Sequence, residues 1–167
     1  MVFPQVPREQ EWLGENLDLA VAALDATTAE FGADRRRTYL TGMSMGGYGV
    51  WELALRLPDR FAALAPVCGA LLPPRPARPT LRVAQAADEP DPYAHTVARL
   101  AHVPVWSFHG ALDDLVPPYD DRRLHRRALA AGAPWRYTEY PQGNHNAWDS
   151  TYTDPAFWRW LFDQRRR

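Results

Sequence analysis

Apolar residues recur along this chain at two alternating spacings. From Glu9 to Phe31, Leu13, Leu17, Ala20, Val21, Leu24 and Phe31 fall at helical spacing and predict one amphipathic helix. Glu9 and Glu11 suit its first turn, and Gly32 suits a left-handed C-terminal cap. Tyr39-Leu40-Thr41 predicts a short buried strand, and Met45 to Leu57 a helix with Val50, Leu53, Ala54 and Leu57 on one side, stopped by Pro58. Phe61 to Val67 is nearly all apolar, as expected of a strand buried on both faces of a parallel sheet. Tyr93 to Ala101 predicts a short helix and Val103 to Phe108 a strand. Asp120 to Ala131 is apolar at Leu124, Ala128 and Leu129 and predicts a helix capped by Gly132. Trp135 to Tyr140 alternates as a strand. Pro155, behind Asp154 as N-cap, opens a last helix through Phe162.

The remaining stretches read as connections. Val2-Phe3 reads as the tail of a strand, with Pro4 and Pro7 holding the chain extended after it. Arg35-Arg36-Arg37 reads as a solvated turn and Arg165 to Arg167 as a frayed tail. Residues 69–92 break the rhythm: Pro73, Pro74, Pro76 and Pro79 make an irregular loop. A long loop after a strand suits a lid or substrate wall, and a passive surface excursion suits the pattern equally. Alternating helices and strands without repeat or linker predict a single α/β domain over 1–167, with a mostly parallel sheet and helices on both faces.

Composition narrows the class of partner. At 46% hydrophobic residues the chain should fold, and a net charge of −1 argues against nucleic-acid and anionic-membrane partners. All 19 basic residues are arginine and isoleucine is absent, which codon bias explains without any functional story. A single cysteine, Cys68, excludes an internal disulfide. No apolar run is long enough to span a bilayer, and the start lacks the charged-then-apolar layout of a signal peptide. A cytoplasmic location is the default expectation, with secretion left open.

The chemistry centres on Gly42-Met43-Ser44-Met45-Gly46, a Gly-x-Ser-x-Gly pattern between a predicted strand and a predicted helix. In that setting the pattern makes a nucleophile elbow: a tight, strained turn that pushes the serine hydroxyl out of the backbone. The glycines at 46, 47 and 49 are costly in a helix and point to close packing under the elbow. A serine needs a base, usually a histidine oriented by a carboxylate. The loop from His109 to Pro117 offers Asp113 and Asp114, and the loop from Gly143 to Trp148 offers His145. Both leave the carboxyl ends of predicted strands, where open α/β sheets place their sites. The N–H of Met45 is one oxyanion donor, aided by the helix dipole. Trp51, Trp106, Trp148 and Tyr152 are the aromatics expected nearest the site, with Trp148 the candidate substrate contact. His95, His102 and His125 read as surface or packing residues. No His, Cys and carboxylate set has metal-ligand spacing, so neither metal nor cofactor is expected.

The runs Tyr-Leu-Thr-Gly-Met-Ser-Met-Gly-Gly-Tyr-Gly, Pro-Asp-Arg-Phe-Ala-Ala, Pro-Val-Trp-Ser-Phe-His-Gly-Ala-Leu-Asp-Asp-Leu-Val-Pro and His-Asn-Ala-Trp-Asp-Ser-Thr-Tyr resemble α/β-hydrolase serine esterases. The nearest group is the poly(3-hydroxybutyrate)-depolymerase-like and feruloyl-esterase-like carboxylesterases. The resemblance implies Ser44 as nucleophile, His145 as base and Asp113 as acid, because the family pattern His-Gly-x-x-Asp-x-x-Val-Pro falls on Asp113 and leaves Asp114 to cap the following turn. His109 then falls on a structural His-Gly turn. Relatives carry several strands and an oxyanion loop ahead of the segment resembling Phe3 to Pro7. The expectation is therefore a truncated, N-terminally shortened α/β-hydrolase fold with an exposed elbow strand, covered by Met1 to Pro7 or paired with a second copy in a homodimer. Gln5 or a neighbouring N–H is the candidate replacement donor. The implied activity is hydrolysis of a small ester (short-chain acyl, acetyl or feruloyl) through an acyl-enzyme. The alternatives are a serine peptidase of the same fold and a non-catalytic binding module.

Overall fold

The computed structural model describes residues 1–75 and 78–166; Pro76 and Arg167, which figured in the predicted loop and tail, lie outside the described residues. The chain runs through helix α1 (Glu15–Glu30), strand β1 (Tyr39–Met43), helix α2 (Met45–Arg56) and strand β2 (Ala63–Val67). A single turn α3 (Ala84–Ala87), helix α4 (Pro92–Leu100), strand β3 (Val105–Gly110) and helix α5 (Tyr119–Ala130) follow. Strand β4 (Trp135–Tyr140) and helices α6 (Trp148–Thr153) and α7 (Pro155–Asp163) complete it. The four strands form one parallel sheet in the order β1-β2-β3-β4.

That order fixes the layers. Right-handed crossovers between successive neighbouring parallel strands put every connecting helix on the same face. Accordingly α2, α4 and α5 pack with Leu64 and Val105 in one core, which also takes Leu17 of α1. The opposite face takes the alternate residues Ala63, Ala65, Val67 and Phe108, and α7 covers them with Phe157, Trp160 and Leu161. The period of two along β2 thus feeds two cores, which is why its sequence reads as continuously apolar. Among the described residues no helix is long and apolar enough to cross a membrane.

Several element ends differ from the sequence reading. The first helix starts at Glu15, not Glu9, because Glu9 (φ 65°) and Gly14 (φ 50°) turn the chain with backbone angles no helix accepts. Trp12 instead folds back on α2: a Cβ on Gly49 would lie 2.8 Å from its indole. Gly32 (φ 59°) does follow that helix, and Ala33 N–H reaches Thr28 C=O at 3.0 Å to close a Schellman turn. Val2-Phe3 forms no strand, and Phe3 is exposed, so Met1 to Pro7 does not pair with β1. Among the described residues β1 keeps a free edge, with Thr41 and Met43 exposed. The third strand runs on through His109 and Gly110, placing both in the sheet and not in the loop. Arg35–Arg37 is one exposed turn of 3-10 helix. The tail is tied down: Arg166 N–H donates to Arg36 C=O at 2.9 Å, and Arg165 faces Asp34 at 3.8 Å.

Candidate active site

Ser44 sits between β1 and α2, with its N–H donating to Val67 C=O at 2.9 Å, so the sheet ladder reaches the turn itself. Its φ of 53° and ψ of −120° are a left-handed conformation that a side chain rarely adopts. Holding it costs of order 1–3 kcal/mol, and contact between backbones enforces it. A Cβ on Gly42 would lie 2.5 Å from Gly46 C=O, and one on Gly47 would lie 2.8 Å from Gly69 Cα. Gly46, by contrast, faces open space, so its absence of a side chain is not a packing demand beneath the turn.

Three side chains from three separate connections meet here. His145, after β4, has Nδ1 2.7 Å from Asp113 Oδ2 and Nε2 2.8 Å from Ser44 Oγ. Asp113, in the turn after β3, is buried, and burial alone would raise its carboxyl. His109, His145 and the Val116 N–H outweigh that and hold it well below the usual carboxylate range. An ionised Asp113 can only accept, so His145 Nδ1 donates to it and Nε2 is left to accept from the Ser44 hydroxyl.

Asp113 also does the job expected of Asp114. Its Oδ1 accepts from Leu115 N–H at 3.0 Å and Val116 N–H at 2.9 Å, capping its own turn, while Asp114 is exposed. Gly110 packs against the Gly143–Asn144 backbone, where any Cβ would collide. This contact brings the loops that carry Asp113 and His145 together.

Met45 is the first residue of α2, and its N–H has no carbonyl four residues back within the helix. It lines a cleft of about 530 Å³ with Val6, Glu9, Glu11, Arg78 and Thr80. Glu11 accepts from Thr80 at 2.9 Å and pairs with Arg78 at 3.5 Å, so this wall is polar. Gln5 is exposed and does not line the cleft. A groove of about 590 Å³ between α4 and α5, lined by Arg123, Arg126 and Arg127, shares no residue with it.

The aromatics separate into two groups. Trp148, half-buried at the start of α6, stands perpendicular to His145 with ring centres 5.5 Å apart. Tyr152 reaches β1, its hydroxyl 2.8 Å from Thr41 Oγ1. Trp51 is not at the site: it is 1% exposed and packs on Trp135 in the core. Trp106 lies against Phe108 and Trp160 on the α7 face, with Nε1 donating to Thr138. His95 and His102 face Glu89 and Asp59, and His125 packs on Tyr137.

Two neighbours of the site go beyond the sequence reading: Cys68, which it did not place here, and His109, which it read as a residue of a structural His-Gly turn. Cys68, at the end of β2 with φ 42°, has its sulfur within 4.8 Å of ligand atoms of both Asp113 and His145. No sequence spacing reveals that set, because its members come from three different loops. Burial pushes the Cys68 thiol up to about 12, so it stays protonated, while Asp113 and His145 are hydrogen-bonded to each other. His109 is the second. It is fully buried, with Nδ1 2.8 Å from Asp121 Oδ2 and Nε2 donating to Val116 C=O at 2.7 Å and lying 3.2 Å from Asp113 Oδ2.

A family model described as "Putative esterase" matches residues 4–161. The chain belongs to this esterase family. Among solved structures it is similar to a thermostable esterase, with 30% identity and a TM-score of 0.76 over 96% of this chain and 40% of that one. It is also similar to esterase PE8, with 25% identity and a TM-score of 0.64 over 88% of this chain and 60% of that one. An acylaminoacyl peptidase of Pyrococcus horikoshii, 18% identical with a TM-score of 0.64 over 79% of this chain and 24% of that one, shares the fold. A curated relative, an uncharacterized secreted protein of Arthroderma benhamiae, is 32% identical over 115 residues, 64% of this chain and 12% of its own length. The chain thus spans less than two thirds of each of these proteins. Its α/β-hydrolase sheet is the four-stranded part described above.

Proposed function

We propose that this chain is a serine esterase that hydrolyses small carboxylic esters by way of an acyl-enzyme. The observation that carries the reading is the hydrogen-bonded series Ser44 Oγ, His145 Nε2, His145 Nδ1 and Asp113 Oδ2, mounted at a strained helix start. In this reading His145 takes the Ser44 proton as Oγ attacks the ester carbonyl, and Asp113 stabilises the imidazolium that forms. The Met45 N–H faces the developing oxyanion, a contact of a kind worth about 10²–10³ in rate. His145 then returns its proton to the leaving alcohol, and water cleaves the acyl-enzyme by the same steps in reverse order. In this reading Trp148, perpendicular to His145, stands beside the reacting groups and suits contact with a flat acyl group such as feruloyl; acetyl and short-chain acyl groups need less room.

Turnover of a chromogenic short-chain ester tests the reading. Ser44→Ala should abolish it. Asp113→Asn should lower kcat by roughly 10⁴-fold through the wrong histidine tautomer, and Asp114→Asn should leave it within about twofold. Absent turnover, or turnover that survives Ser44→Ala, would point to a non-catalytic binding module or another site.

A further inference from the structure

The series of buried charged groups does not stop at Asp113. Behind it lies His109, 0% exposed, and behind His109 lies Asp121 of α5, 1% exposed. The ring of His109 bridges two buried carboxylates, and both its nitrogens are engaged. Nε2 faces a backbone carbonyl, which only accepts, so Nε2 carries a proton. A further proton lies between Nδ1 and Asp121 Oδ2. Among the described residues Asp121 Oδ1 has no hydrogen-bond partner, and Oδ2 is bonded to the histidine. Nothing in ester hydrolysis by Ser44, His145 and Asp113 requires this second pair.

We infer that His109 is a buried imidazolium that positions Asp113 and offsets its charge as seen by His145, with Asp121 as its counter-ion. Within the esterase reading, this makes it a positioning residue for the acid.

The groups facing it support this charge state. From the following turn and α5 come Asp113, Asp121 and, farther off, Asp120; from β4 comes Glu139, itself bound by Arg122 and Tyr137. Tyr48 of α2 and Cys68 beyond β2 stay neutral, because burial pushes both upward. Burial disfavours a charged imidazole, but hydrogen bonds to Asp113 and Asp121 outweigh it and hold His109 up to about 10. Burial also raises Asp121; two carboxylates against one ring leave the shared proton on His109. The consequence is electrostatic. Asp113 Oδ2 is shared by His145 at 2.7 Å and His109 at 3.2 Å, so a permanent positive charge competes for the same oxygen. Removing it leaves the whole Asp113 charge to favour protonated His145.

The test pairs spectroscopy with kinetics. Long-range proton–nitrogen spectra of the unmodified protein should show both His109 ring nitrogens protonated throughout pH 6–8; a neutral ring in that range overturns the proposal. This reading needs no turnover, so it stands apart from failure of the esterase assignment. The double variant His109→Gln/Asp121→Asn replaces the ion pair with neutral groups of similar shape, which spares the fold. Its kcat/KM profile should keep its form with the acid limb moved to higher pH by about one unit. The titration of His145 followed by NMR should move equally. A folded double variant whose acid limb and His145 titration both stay in place shows a merely structural pair and overturns the proposal.

Discussion

Ser44 shows strain kept for position. Its φ of 53° is imposed by the meeting of Gly42 with Gly46 and of Gly47 with Gly69, and not by its own side chain. A residue without Cβ should relax there. Ser44→Gly is therefore expected to raise stability by about 1 kcal/mol while removing turnover, measured by urea unfolding. A loss of stability would mean that the hydroxyl bond to His145 outweighs the strain. The Gly-x-Ser-x-Gly pattern made Ser44 legible in the sequence. Asp113 needed the family pattern, because Asp113 and Asp114 are chemically identical neighbours. The fold distinguishes them physically, by burying one and exposing the other.

At the scale of elements, the strongly patterned segments were legible and the short ones were not. β4 and α7 carry their signals locally: alternation in one, Asp154 and Pro155 in the other. α6 spans only Trp148–Thr153 and interleaves polar residues, so no helical period could emerge from its sequence. Asp154 separates α6 from α7 and accepts from Ala156 N–H at 2.8 Å. Its loss frees a helix end that carries Phe157, Trp160 and Leu161 onto the sheet. Asp154→Ala should cost about 1 kcal/mol, seen as a Tm lowered by roughly 2–4 °C. The apolar period extends back to Leu13, but the turn at Gly14 lies between Leu13 and the helix and sets its start at Glu15.

For the whole molecule, the buried Asp121–His109–Asp113 series ties stability to pH. His109 is raised from 6.5 to about 10 on folding, so its contribution is complete below about pH 6.5. It is lost as pH rises toward 10. Unfolding free energy should be smaller at pH 9.5 than at pH 7, and that difference should shrink in His109→Gln/Asp121→Asn; an unchanged difference would assign it to other groups. The free edge of β1 gives a second expectation. Thr41 and Met43 leave strand backbone accessible beside Ser44, and pairing across it would make a homodimer. Sedimentation velocity at micromolar concentration should show that dimer, and a stable monomer would remove it.

By itself the sequence determined the alternation of helices and strands, the strand–turn–helix around Ser44, and the order in which Ser44, Asp113 and His145 occur. Those signals are local or periodic, and backbone geometry reads them directly. The tertiary structure decided what lies in contact. Trp51 went to the core and Trp148 to His145, although both are tryptophans beside a motif. Cys68 reached the Asp113–His145 pair from another strand. His109, which reads as a turn residue, became the centre of a buried charge series because β3 runs two residues further than its apolar pattern. Proximity between loops depends on how sheet and helices pack, and no spacing along one chain encodes it.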